Sequence, residues 1–196
     1  MKIRFIGDIH GDVEKYRNLL LDCDTSIQVG DFGAGFTLLP SDVPLTHRFI
    51  RGNHDSPSIC RQSDHWIKDG TWDEKHKMFF IGGAYSIDQA WRTPGVSWWT
   101  DEELSIVELN GLISEYEMRR PEIMVTHDCP EIARILLFNI NEPTRTTQAL
   151  QTMFEIHQPK LWIFGHHHTS RDTIIKGTRF VCLAEFQYMD IDIDGH

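Results

Sequence analysis

Only four cysteines occur in the 196 residues, Cys23, Cys60, Cys129 and Cys182, and no two of them form a C-x-x-C pair. That scarcity and spacing exclude a disulfide framework or a thiolate zinc site as the organising feature, and the four read as reduced, mostly buried thiols. No apolar run approaches the roughly 20 residues that a membrane-spanning helix needs. The opening "MKIRFIGDIHG" reaches Asp8 too soon to supply the apolar core of a signal peptide, so a cytoplasmic protein with no membrane partner is expected. Positive charge is short as well: 19 Lys and Arg against 29 Asp and Glu leave a formal net charge of −10. Extensive nonspecific nucleic-acid binding, which depends on basic groups neutralising phosphates, is thereby excluded, whereas a small or locally held phosphate ligand is not. Internal repeats, low-complexity tracts and linkers are also missing, and the composition is that of an ordinary globular protein. A single domain over residues 1–196 is expected.

What is present is a recurring strand-then-loop pattern. Lys2–Ile6 reads as a buried strand, followed by a helix with Asp12 as N-cap and Val13, Tyr16, Leu20 and Cys23 at helical spacing. "SIQVGD", "HRFIRGN", "HWIKD", "KMFFIGG", "EIMVTHD", "KLWIFGHHH", "TRFVCLAEF" and "YMDIDID" read as further strands. Residues 84–99, with three tryptophans and no clear period, read as a long ordered loop. Two capping boxes follow, Thr100 with Glu103 and Ser105 with Glu108, before a helical stripe of Ile106, Leu109, Ile113 and Tyr116 that Pro121 closes. Another helix is expected over residues 146–157, stopped by Pro159.

The polar residues just beyond five of these strands carry the chemistry. They are Asp8 and His10 in "GDIHG", Asp31 in "GDFG", Asn53, His54 and Asp55 in "GNHD", His127 in "THD", and His166, His167 and His168 in "GHHH". Ligands of open α/β sheets bind beyond the carboxyl ends of strands, so the five groups can converge. Imidazole with carboxylate and amide oxygen suits borderline divalent metals, and the lack of thiolate disfavours a structural zinc site. On an extended segment, side chains two apart point the same way. Asp8 with His10, and His166 with His168, are therefore expected to face one site, and His167 to point elsewhere. The remaining histidines, His47, His65, His76, His157 and His196, fit no motif and read as surface or packing residues, as Cys129 in "HDCP" reads as structural.

Taken in order, D-x-H, G-D, G-N-H-[DE], a lone His and G-H-x-H, the set from Asp8 to His168 resembles the calcineurin-like metallophosphoesterases. The resemblance implies an α/β fold, a four-layer α/β/β/α sandwich of two mixed β-sheets flanked by helices. It implies two divalent metal ions, one held by Asp8, His10 and His168, the other by Asn53, His127 and His166, with Asp31 bridging both. Mn²⁺ is the metal it favours, with Fe, Zn, Ni and Co as alternatives. A hydroxide shared by the metals would attack phosphorus, and His54, beside the substrate with Asn53, would protonate the leaving oxygen or stabilise its charge.

One departure from the Ser/Thr protein phosphatases of that family shifts the expected substrate. Their second motif extends as G-D-x-V-D-R-G, whose second Asp pairs with the catalytic His and whose Arg grips phosphate. Here the stretch reads "GDFGAGF", with Ala34 and Gly35 at those positions. Asp55 is the substitute orienter for His54 and Arg92 the substitute phosphate contact. Trp98 and Trp99, with Trp91, are candidates for stacking on a base, against the plainer reading that they pack the loop. A phosphodiester, such as a small or cyclic nucleotide or a nucleic-acid end, is the favoured substrate; a phosphomonoester, including a phosphoprotein, is the alternative. A rival of another class is a non-catalytic scaffold with this fold, which would be marked by a degenerate ligand set.

Overall fold

Residues 2–37 and 42–192 are described by the computed structural model of the protein. The chain runs through β1 (Lys2–Ile6), α1 (Val13–Leu20), β2 (Ser26–Gln28), β3 (His47–Phe49), the one-turn α2 (Pro57–Cys60), β4 (Trp72–Asp73) and β5 (Met78–Ile81). It continues with α3 (Ile106–Arg119), β6 (Ile123–Thr126), α4 (Glu131–Phe138), α5 (Arg145–Ile156), β7 (Leu161–Phe164), β8 (Arg171–Ile175), β9 (Thr178–Cys182) and β10 (Tyr188–Asp192). One sheet has the order β10-β1-β2-β3, the other β4-β5-β6-β7-β9-β8. In the first, β1, β2 and β3 are parallel and β10 is antiparallel to β1. In the second, β5, β6, β7 and β9 are parallel, with β4 and β8 antiparallel at the edges. Among the described residues, no helix is long and apolar enough to cross a membrane.

The two-residue period of the strands dictates how these sheets stack. Ile3 and Phe5 of β1 meet Met78 and Phe80 of β5, Val125 of β6, Ile163 of β7 and Val181 of β9 in a core between the sheets. The alternate residues Phe79, Ile81, Met124, Trp162, Phe164, Phe180 and Cys182 face outward, under Tyr116 of α3, Ala133 of α4 and Leu150, Met153 and Phe154 of α5. On the opposite flank Ile6 and Phe49 pack with Tyr16 of α1 and Cys60 of α2. Three apolar interfaces thus separate four layers, and the α/β/β/α sandwich is the observed fold.

Local chemistry explains where the elements begin, and where the sequence reading needs correction. Asp12 caps α1 through Lys15 N, Ser105 and Glu108 form the capping box of α3, and α5 starts one residue ahead of expectation, capped by Thr144. Glu103, by contrast, does not cap a helix with Thr100. Its carboxylate accepts from Thr146 N at 2.8 Å and Thr146 Oγ1 at 3.0 Å, in the first turn of α5. "HWIKD" is not a strand either: its one ladder contact with β3 is an isolated bridge between Phe49 and Trp66. The helix α4 has Pro130 at its N-cap and no capping side chain, so it lacked the signal that marks the other helices. Of the unassigned histidines, His47 bonds Ser26 Oγ at 3.0 Å, His65 bonds His47 O at 2.8 Å, His76 bonds Asp73 at 2.7 Å and His157 bonds Pro121 O at 2.9 Å. All four serve packing or turns. His196 and the end of "YMDIDID" lie outside the described residues.

The β10 edge is fastened by one buried cation. Arg4 reaches Asp190 with Nε at 2.7 Å and Nη2 at 2.9 Å, and donates to Leu19 O at the end of α1 at 2.7 Å. The hydrogen bonds from Arg4 hold the Asp190 carboxyl at about 2, below its ordinary 3.8. Asp190→Asn is therefore expected to cost about 1.5–3 kcal/mol of stability at pH 7, the usual range for hydrogen bonds to a charged group. A depressed carboxyl pKa stabilises the fold above the unfolded-state value and stops doing so once the folded group protonates. The difference from wild type should shrink as pH falls from about 4 towards about 2. Urea unfolding of both metal-free proteins at neutral and acid pH checks this, and a gap that ignores pH would refute it.

Candidate metal centre

Both sheets deliver their polar residues to the same edge of the sandwich. From the first sheet come Asp8 and His10 after β1, Asp31 after β2 and Asn53 after β3; from the second come His127 after β6 and His166 and His168 after β7. Asp8, His10, Asp31 and His168 bring one ligand atom each to within 4.8 Å of one another. The Nε2 atoms of His10 and His168 are 3.1 Å apart, and His168 Nε2 lies 3.2 Å from Asp8 Oδ2. Beside this group, His127 Nε2 lies 3.1 Å from Asn53 Oδ1 and 3.3 Å from Asp31 Oδ1. The His166 ring is centred 5.1 Å from that of His127. All seven motif residues therefore gather at one place, with Asp31 between the two groups.

The backbone achieves this convergence by turning, not by extension. His10, Asp31, His166 and His168 all have positive φ, of 44°, 57°, 65° and 49°. They sit in left-handed turns, not on extended segments, so the shared orientation of His166 and His168 comes from tight turning. His167 does point away: its ring stacks 3.9 Å from Phe138 and its Nε2 lies 3.2 Å from Asp128. Two glycines make room for the carboxylates. A Cβ on Gly52 would stand 2.0 Å from Asp31 Oδ1, and one on Gly165 would stand 2.2 Å from Asp8 Oδ1.

The electrostatics demand positive charge here. Asp8 and Asp31 are 0% and 1% exposed, and burying ionised carboxylates side by side is costly unless cations face them. Burial opposes protonation of His127, yet the Asp31 carboxylate at its Nε2 raises it to about 10. His127 Nδ1 meanwhile faces the Val29 carbonyl at 2.9 Å, which directs Nε2 at Asp31 and Asn53. A proton on Nε2 stands where a cation would otherwise satisfy the same oxygens. Desolvation pushes His166 the other way, down to about 3, which leaves a neutral imidazole with a lone pair to offer. Oxygen and imidazole donors around buried negative charge fit borderline or hard divalent cations.

Several residues have placements that sequence alone did not reveal. Asp55 does not orient His54. Its two oxygens accept the backbone N–H groups of Phe32 at 3.1 Å, Gly33 at 2.6 Å, Ala34 at 2.8 Å and Gly52 at 2.7 Å, and these replace the expected contact. The His54 ring is instead met at Nε2 by Arg92 Nη2, which also holds Asp88 at 2.8 Å. Trp99 packs edge-on against Phe36, 5.6 Å between ring centres, and Trp98 is half-buried next to it in the same loop, whereas Trp91 is 91% exposed. Glu185, which belongs to no motif, lies 3.3 Å from His168 Nδ1 and 3.5 Å from His10 Nε2. Ser86 and Glu102 hold the far side of Asn53: Nδ2 donates to Ser86 Oγ at 3.0 Å, which donates to Glu102 Oε2 at 2.6 Å. A second cluster, Asp128, Cys129 and His167, has donors equally close together. There, however, the Asp128 carboxylate is already met by His167 and by Arg134 Nε at 4.0 Å, and burial pushes the Cys129 thiol well up, so the group serves as a brace behind the centre.

The motif order and this geometry agree with a family profile, that of the calcineurin-like phosphoesterases, which matches residues 1–170. The chain belongs to that family. The calcineurin-like phosphoesterases are metal-dependent, and the candidate ligand clusters are those of a metal-dependent phosphoesterase. No curated relative matches. Among solved structures, a 5′-nucleotidase candidate from Staphylococcus aureus, in complex with alpha-ketoglutarate, shares the fold at 13% identity and a TM-score of 0.55. The alignment covers 97% of this chain and 50% of that longer one. A predicted phosphoesterase from Streptococcus pneumoniae aligns over 97% of this chain and 83% of its own, at 15% identity and a TM-score of 0.43. A Thermotoga maritima protein aligns over 99% and 92%, at 16% identity and 0.44.

Gly165→Ala tests the crowding around Asp8. It is expected to weaken Mn²⁺ binding roughly 10–100-fold, as displaced ligand supports typically do. Gly111→Ala in α3, where a new Cβ meets nothing within 4 Å, should leave binding unchanged. Calorimetric Mn²⁺ titration of the two variants decides, and equal affinities would refute the crowding argument.

Proposed function

We propose that this protein is a phosphodiesterase with a binuclear centre, Mn²⁺ being the preferred metal. In this reading Asp8, His10 and His168 would hold one ion and Asn53, His127 and His166 the other, with Asp31 as a ligand available to both. When bound, the two ions supply a water of lowered pKa and neutralise phosphoryl oxygens. The chain's own residues supply the rest. A guanidinium only donates, so in this structure His54 Nε2 accepts from Arg92 and the ring proton sits on Nδ1. A phosphoryl oxygen that draws Arg92 onto itself frees the Nε2 lone pair to take up a proton from solvent, and the imidazolium so formed gives that proton to the leaving oxygen and returns to the neutral ring.

The observation that carries the reading is the placement of Arg92. Its side chain is only 9% exposed, it touches His54, and its buried Nη1 has no hydrogen-bond partner. An orphaned guanidinium nitrogen beside the candidate acid is an unfilled seat for an anionic oxygen. Asp88 offsets part of its charge at 2.8 Å, and the "GDFGAGF" loop adds no cation. That modest positive charge suits a singly charged diester, such as a small or cyclic nucleotide or a nucleic-acid end, better than a dianionic monoester. The open Nη1 would hold an oxygen of either ester; the monoester is the second reading because its extra anionic oxygen gives such a donor one more partner. The packing of Trp99 on Phe36 argues for loop support and not base stacking, with Trp98 beside it. Four free cysteines accord with a cytoplasmic location, and residues 1–196 are read as a single phosphoesterase domain.

Hydrolysis of bis-p-nitrophenyl phosphate and p-nitrophenyl phosphate, after chelation and Mn²⁺ addition, tests this directly. The diester is expected to be the better substrate and Asp31→Asn to be inactive with either. A faster monoester would transfer the assignment to phosphatase, and no metal-dependent turnover of either would favour a scaffold. His54→Ala should keep both metals and lose about 10²–10⁴-fold in kcat, the usual contribution of a general acid. Arg92→Ala should lower kcat/KM while leaving the fold and metal content intact. Parallel loss of bound metal in either variant would sink its assigned role.

A further inference from the structure

The long segment between β5 and α3 meets one of the seven motif residues, Asn53, through Ser86, and the hydrogen bonds there have a fixed direction. Glu102 is 3% exposed and its carboxylate accepts from Ser86 twice, from N at 2.8 Å and from Oγ at 2.6 Å. The Ser86 hydroxyl has one proton, and it is committed to Glu102. Towards Asn53 the same oxygen can only accept, so it takes the amide N–H of Nδ2 at 3.0 Å. With Nδ2 held on that side, Oδ1 is turned to His127 and the interior of the site. The far end is closed as well: Arg51, two residues before Asn53, donates Nη1 to the Glu102 carbonyl at 2.6 Å and Nε to Asp69 at 3.0 Å. Asn53, Ser86, Glu102 and Arg51 therefore form a closed ring.

The two ends of a side-chain amide are nearly identical in shape and opposite in chemistry. Only the oxygen can coordinate a cation; the nitrogen has no lone pair to offer. We infer that Ser86 and Glu102 are positioning residues whose one-way hydrogen bonds determine which end of the Asn53 amide faces the metal centre. The inference rests on the reading of Asn53 as a ligand. It makes the acceptor-only nature of the Glu102 carboxylate, more than its bulk, the feature that matters. In Glu102→Gln the side chain has one acceptor and one donor. When its oxygen serves Ser86 N, its NH₂ donates to Ser86 Oγ, and the hydroxyl proton is released towards Asn53. That arrangement favours the flipped amide, with NH₂ in the site.

Mn²⁺ binding, followed by the electron paramagnetic resonance signal of the free ion, tests this without recourse to turnover. Wild type is expected to bind two ions. Glu102→Gln and Ser86→Ala are expected to weaken one of the two by roughly 10–100-fold, the usual effect of losing a ligand's support, and to leave the other unchanged. In an Asn53→Asp background, where a carboxylate offers an oxygen whichever way it turns, adding Glu102→Gln should have no further effect. Equal weakening of both ions, an unchanged Glu102→Gln, or the same loss in the Asn53→Asp background would overturn the inference. Asn53→Ala with both ions still bound would remove the ligand reading and the inference together. Two-ion binding without hydrolysis of either nitrophenyl ester would overturn only the proposed activity.

Discussion

Two carboxylates sealed from water at the meeting of two sheets set the conditions for everything around them. Among the described residues no lysine or arginine pairs with Asp8 or Asp31; their ion-pair partners are histidines. What the fold offers is imidazole, amide oxygen and room. The consequence is visible in His127, which burial would keep neutral but which the neighbouring carboxylate holds protonated to about 10. A protein that concentrates negative charge in a dry cleft and faces it with lone pairs is built to be completed by cations. Because the donors come from both sheets, such cations would also tie the two halves of the sandwich at the one edge where the apolar core gives way to polar residues.

The loop after β2 shows how this chain departs from the protein phosphatases without losing the geometry. Ala34 and Gly35 stand where the protein phosphatase motif has its second Asp and its Arg. Asp55 compensates structurally, gathering four backbone N–H groups from that loop and from Gly52 so that the peptide chain itself becomes rigid. Contacts to the GNHD motif arrive from a different quarter, the tryptophan-rich segment, which presents Arg92 to His54 and Ser86 to Asn53. One long loop thus touches the site at two points, and Trp99, packed on Phe36, helps to hold it there.

Much of this was legible in the residues themselves. The alternation in "KIRFI", "MFFI" and "LWIF" is the two-faced burial of strands between layers, and the five polar motifs after those strands converge as their order implies. Less legible were features that depend on through-space neighbours. Glu102 and Glu185 sit in no motif, because their partners lie far away along the chain. Asp55 was assigned to the nearest histidine in sequence, while its oxygens were satisfied by a loop more than twenty residues earlier. The pairing of His166 with His168 was anticipated, but from extended geometry; the backbone instead turns left-handed at both. The helix α4 escaped notice because it begins without a capping side chain. Spacing reveals which groups are available to a site, and only the folded chain shows which ones they hold.

The antiparallel pairing of β1 with β10 has a bearing on how the molecule is made. On a ribosome, Lys2–Ile6 emerges long before Tyr188–Asp192, so the outer edge of β1 stays uncovered while the residues between them are made. An open strand edge on an apolar segment invites pairing with other chains. Arg4, which will later clasp Asp190, meanwhile places a charge in the middle of that exposed strand. The same guanidinium that fastens the finished sheet acts, during translation, as a gatekeeper against aggregation.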